Sequence, residues 1–141
     1  MSKSIITNSF QETQKQGELL AKELKGGEII CLEGELGAGK TTFTQGILKE
    51  LQVKGPYISP TFLIMKNYPI TKKQKFNIYH IDAYRVKSQD ILSLGWKEIS
   101  KDNNNILIIE WPERIKDILP QEVFWIKLKW IDDEKRLIQF F

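Results

Sequence analysis

The run Gly34-Glu35-Leu36-Gly37-Ala38-Gly39-Lys40-Thr41-Thr42 is the part of this chain best suited to hold an anion. It fits G-x-x-x-x-G-K-[ST], the pattern of a phosphate loop. Its glycines let backbone N–H groups converge on a phosphate with no Cβ in the way. A helix starting at the end of the loop adds its positive N-terminus. In such a loop Lys40 reaches the β- and γ-phosphates, and the Thr41 hydroxyl can ligate Mg²⁺.

Holding phosphate is not the same as cleaving it. Phosphoryl transfer also needs a second carboxylate near the metal and a group that orients the attacking oxygen. Glu110 closes the apolar run Asn105-Ile106-Leu107-Ile108-Ile109. In a parallel sheet, ligands gather at the carboxyl ends of the strands, so Glu110 is placed to support Mg²⁺ directly or through water. An ordinary strand-end glutamate is the simpler alternative. The stretch His80-Ile81-Asp82-Ala83-Tyr84-Arg85 follows another strand. Asp82 can orient a water, and Arg85 can counter phosphate charge or brace Asp82 in a bidentate pair. A lone histidine such as His80 is more often structural than catalytic. In Ser59-Pro60-Thr61-Phe62, the Thr61 hydroxyl can reach metal or γ-phosphate and Pro60 restrains the turn; the alternative is a plain turn before a strand. Trp111 either packs near a nucleotide or fills the core.

The elements that must carry these residues follow from periodicity. Residues 4–7 read as a short strand. Ser9 and Glu12 form a capping box, opening a helix with Leu19, Leu20 and Leu24 on one side and a stop at Gly26-Gly27. Residues 28–32 form a short apolar strand into the glycine loop. Phe43, Ile47, Leu48 and Leu51 then recur at helical spacing. Strand, loop and helix give the motif the context it requires. Residues 62–68 and 75–81 read as strands joined by a lysine-rich connection at 71–73, and residues 88–99 as a helix. Residues 105–109 read as a buried central strand, and 122–130 and 135–140 as two strands linked by a turn at Asp132-Asp133. Alternating strands and helices closed by a hairpin predict a three-layer α/β/α sandwich of the P-loop NTPase type, with a mixed, mainly parallel sheet.

A chain of 141 residues is the size of a single domain, residues 1–141. It is 41% hydrophobic and 28% charged, an ordinary globular balance, and its formal net charge of +3 permits an anionic partner without arguing for one. Lysines 72, 73, 75, 127 and 129 can form a basic surface, although most read as a solvated face. Cys31, the one cysteine, rules out an internal disulfide or a thiolate cluster and reads as a buried, inert thiol. The first ten residues contain no apolar segment of signal-peptide or membrane-span length. The expected location is the cytoplasm, with no membrane association.

Taken in order and with their separations, GELGAGKTT, SPTF, HIDAYR and EWPE resemble the TsaE family (formerly YjeE) of small bacterial P-loop ATPases. The resemblance runs from the first helix to about Leu119. It implies an accessory ATPase, binding ATP and Mg²⁺, required for the threonylcarbamoyl modification of adenosine 37 in tRNA. It also implies the partners TsaB and TsaD, with transfer attributed to TsaD and tRNA reached indirectly through the complex. By the same resemblance, residues Glu35, Leu36, Gly37, Ala38, Gly39, Lys40, Thr41 and Thr42 hold the nucleotide, with Thr41 and Glu110 at Mg²⁺. Asp82, Thr42 and Glu110 carry hydrolysis, and Trp111 lies near the nucleotide. Phe10 and the region of Lys135-Arg136 are candidates for the base. Ala83 stands where the family more often has leucine, a matter of packing rather than chemistry.

Three other readings compete. A small-molecule kinase would need an acceptor pocket and a basic lid, for which the chain is short. A GTPase would carry N-K-x-D, which is absent; Asn103-Asn104-Asn105 is a polar turn. A nucleotide-holding clamp without catalysis needs only the loop.

Overall fold

The computed structural model describes residues 2–57, 60 and 63–141. Within them β1 is Lys3–Thr7, α1 Phe10–Ala21, β2 Ile29–Glu33, α2 Lys40–Glu50, β3 Met65–Tyr68 and β4 Asn77–Asp82. Then come α3 Ser88–Leu92, α4 Trp96–Ile99, β5 Asn105–Glu110, a 3-10 segment Pro112–Ile118, β6 Phe124–Trp130 and β7 Arg136–Phe140.

The strands form one seven-stranded sheet in the order β1-β7-β6-β2-β5-β4-β3. The central strands β6, β2, β5 and β4 run parallel. The antiparallel pairings lie outside them: β3 on β4 at one edge, β7 on β6 and β1 on β7 at the other. The expected mixed sheet and C-terminal hairpin are present.

Strand alternation explains why both faces are covered. Ile30 and Leu32 of β2, and Ile106 and Ile108 of β5, join a core with Leu20 of α1 and Phe43, Ile47 and Leu48 of α2. Their neighbours Ile29, Cys31, Leu107 and Ile109 point the other way, packing with Ile91 of α3, Trp96 of α4 and Ile115 of the 3-10 segment. Every residue of β5 is buried, as a two-sided central strand requires. Among the described residues, no helix is long and apolar enough to cross a membrane.

Three elements differ from their sequence expectation. Helix α1 stops at Ala21, short of Gly26-Gly27. The chain tightens there through i→i−3 bonds from Glu23 to Leu20 and from Leu24 to Ala21. The Glu28 carboxylate then accepts from the N–H groups of Lys25 and Gly26, at 2.8 and 2.7 Å. Leu20 and Leu24 are buried but Leu19 is 43% exposed, since adjacent helical residues point about 100° apart. The helix expected over 88–99 is two short ones, broken at Gly95, whose φ of +91° leaves the right-handed region. The strand expected from residue 62 is seen from Met65, and residue 62 itself lies outside the described residues.

Candidate functional site

The loop between β2 and α2 sits at the carboxyl end of the central strands. Gly37 and Gly39 have φ of +82° and +104°, values that glycine adopts without strain. The Gly39 carbonyl accepts from Phe43 N–H at 2.9 Å, so the helix grows directly out of the loop. The Leu36 side chain is 95% exposed and that of Ala38 is buried. Thr41 is exposed and Thr42 half-buried at the helix start.

Lys40 is only 6% exposed. Its Nζ donates to the Gly34 carbonyl at 2.5 Å and lies 4.0 Å from the centre of the Trp111 ring. Burial holds the Lys40 ammonium below its ordinary pKa, opposed by the charges of Glu110, Asp82, Glu113 and Glu35. Desolvation disfavours the charged ammonium, and the carboxylates around it favour it.

Register brings the two candidate carboxylates together. Asp82 pairs with Glu110 across β4 and β5, and Leu32 pairs with Glu110 across β2 and β5. By alternation, Glu110 projects with Ile106 and Ile108, and Asp82 with Ile78 and His80, all toward α1 and α2. Asp82 Oδ1 accepts from the Tyr84 N–H at 3.0 Å, which fixes the carboxylate at the strand end. Among the described residues no ion pair joins Asp82 to Arg85, which is exposed. The expected brace is a backbone turn instead.

Trp111 occupies the position just after β5 in a left-handed conformation, φ +59° and ψ +47°, costly for a non-glycine residue. Its ring is held by Tyr84, with centroids 4.8 Å apart. The Arg114 guanidinium lies 4.8 Å from Tyr84 and 5.9 Å from Trp111. Half-buried, Trp111 packs against the core cluster that includes Ile109 and Ile115 and also lies beside Lys40, so each of its two readings has a contact in the structure. Tyr84 and Arg114 escaped sequence reasoning because their role depends on a turn that brings two loops face to face.

On the hairpin side, Arg136 sits 5.7 Å from the Phe10 ring. Its Cγ lies 3.4 Å from where a Cβ on Gly39 would be, so this pair borders the glycine loop. Phe10 is 52% exposed. A cleft of 380 Å³ opens nearby between Glu35, Ala38 and Glu113 on one side and Lys127, Lys129 and Trp130 on the other. Lys127 pairs with Glu33 at 3.4 Å. Of Ser59-Pro60-Thr61-Phe62 only Pro60 is described, and it is buried; the expectation for Thr61 lies outside the described residues.

Among the described residues no group of three or more His, Cys, Asp or Glu side chains can cage a metal. Mg²⁺ in a phosphate loop does not need one, because waters and phosphates supply most ligands beside one or two protein oxygens. The Thr41 hydroxyl and the Glu110 and Asp82 carboxylates are hard oxygen donors of the type Mg²⁺ prefers.

The sequence model for "Threonylcarbamoyl adenosine biosynthesis protein TsaE" matches residues 7–138. A protein of that name from Rickettsia prowazekii is 44% identical over 132 residues, covering 92% of this chain and 88% of the relative. Its namesake from Aquifex aeolicus is 38% identical over 141 residues, with 99% and 96% covered. The crystal structure of YdiB from Bacillus subtilis superposes with a TM-score of 0.82 at 32% identity, covering 99% of this chain and 84% of the other.

Proposed function

The chain belongs to the TsaE family, and from that premise we propose that it is an ATP-binding and hydrolysing accessory protein of tRNA N6-threonylcarbamoyladenosine synthesis. In this reading it acts at adenosine 37 in the cytoplasm, with TsaB and TsaD as partners and tRNA met through the complex. Family membership favours this over a small-molecule kinase. The observation that carries the ATPase reading is the convergence of Lys40, Asp82 and Glu110 at one end of the parallel strands.

The roles follow from position. Backbone N–H groups from Glu35 to Thr42 cradle the phosphates, and Lys40 leaves the Gly34 carbonyl to pair with them. A bound Mg²⁺ would supply positive charge to offset that developing on the phosphates. Thr41 and Glu110 are the residues that would hold it. Asp82 orients the attacking water, with Thr42 beside it at the helix start. Trp111 walls the site, and Phe10 with Arg136 borders the base.

Transition-state charge in phosphoryl transfer is commonly met by an arginine. Arg85 and Arg114 are both exposed, Arg114 is stacked on aromatic rings, and Arg136, beside the glycine loop, donates to the Asp132 and Lys135 carbonyls. Hydrolysis by the isolated chain is therefore expected to be slow, and to change when partners complete the site. Turnover of ATP measured with and without the TsaB–TsaD pair tests this; identical rates and no complex would refute the accessory role.

A further inference from the structure

His80 has no part in the scheme above, yet its placement is specific. It is the one histidine of the chain, it is buried on β4, and its Nε2 lies 2.8 Å from Glu110 Oε2. The two side chains are 4% and 7% exposed. Facing a carboxylate, Nε2 must carry the proton. Nδ1 is buried without a partner among the described residues, so the only described hydrogen bond of the ring is spent on Glu110.

A buried carboxylate without a partner is costly. A carboxylate serving a metal also needs its orientation set, because either oxygen can rotate into the site. Hydrogen bonds to ligating groups are the usual device for that. Strand pairing makes the contact possible. His80 is opposite Ile108 in the β4–β5 register, one pleat back from Glu110, and both side chains lie on the α2 face. The ring therefore approaches Glu110 from the strand side and leaves the sheet end open.

We propose that His80 is a positioning residue, its Nε2–H clamping Glu110 Oε2 so that the other carboxylate oxygen faces the metal side of the phosphate loop. This rests on the reading of Glu110 as an Mg²⁺-supporting residue, and the test separates the two. ADP affinity is measured with Mg²⁺ and with EDTA for the intact chain, His80→Leu, His80→Gln and Glu110→Gln, after each variant is shown to melt cooperatively. In His80→Leu the Mg²⁺-dependent gain in affinity should fall about 10- to 100-fold, as is typical when a ligand loses its hydrogen-bonding support. Affinity in EDTA should not change. The amide of His80→Gln reaches the Nε2 position and should restore most of the gain.

A full Mg²⁺ gain in His80→Leu alongside a lost one in Glu110→Gln would overturn the clamp and spare the role of Glu110. A full gain in both would overturn the role of Glu110 and the clamp with it. The intact protein supplies a readout that needs no variant and no ligand. With one histidine present, its ¹⁵N spectrum should show a single ring protonated at Nε2, and a proton on Nδ1 with a bare Nε2 would refute the clamp even if His80→Leu fails to fold.

Discussion

Residue types at the loop and at two strand ends divide the proposed chemistry into gripping and cleaving. Lys40 lies under Trp111 and against the Gly34 carbonyl, within the field of Glu110 and Asp82. Among the described hydrogen bonds, the one made by the Asp82 carboxylate is accepted from the Tyr84 N–H. Asp82→Ala should therefore abolish hydrolysis while nucleotide still binds, whereas Lys40→Ala should weaken binding and hydrolysis together. Parallel measurements of nucleotide binding and phosphate release separate the cases, and normal hydrolysis by Asp82→Ala would remove that residue from the mechanism. Cys31 illustrates a residue whose silence is physical. It is fully buried between strands, and burial pushes its thiol up to about 12. At neutral pH almost none is thiolate, so Ellman's reagent should label it only after denaturant is added; rapid labelling of the folded chain would contradict the burial.

At the scale of elements, α1 and α2 pack unusually closely because each offers a glycine to the other. A Cβ on Gly17 would fall 2.1 Å from the Phe43 carbonyl oxygen, and one on Gly46 would fall 2.0 Å from that of Gln14. Both obstacles are backbone, so they cannot yield by changing rotamer. Gly46→Ala should destabilise the fold by about 1–3 kcal/mol or more, the range of overpacked cores, despite alanine's better helix propensity. Denaturant titration checks it, and a stabilised variant would show that the helices can separate freely. This pairing was invisible in the sequence, where Gly17 and Gly46 look like ordinary helix weaknesses. The cap at Ser9 was legible, because its side chain acts three residues away on the Glu12 N–H, within reach of local reasoning. The break at Gly95 was not, because a glycine inside a helical pattern is a tolerated cost until the surrounding packing selects its positive φ.

For the whole molecule, one sheet links the first strand to the last, with β1 pairing to β7 and closing an edge. If residues 1–141 form a single cooperative unit, as their length suggests, tryptophan fluorescence and far-ultraviolet circular dichroism should report coincident unfolding curves. Separate midpoints would divide the chain into two units. The sequence by itself determined what depends on neighbours along the chain. That covers the phosphate loop between a strand and a helix, the apolar strand ending at Glu110, the final hairpin, and the ordered motifs that marked the family. Those signals lie within a few residues of each other, where backbone conformation and residue type are directly coupled. The tertiary structure alone decided which distant residues meet. Register set Asp82 beside Glu110, alternation turned His80 onto the same face, and the turn after β5 brought Trp111 over Lys40. None of these pairs is local, and a slip of one residue in β4 against β5 would turn Asp82 and His80 to the face opposite Glu110. The parts of the site were therefore readable from the chain, while their assembly belongs to the sheet.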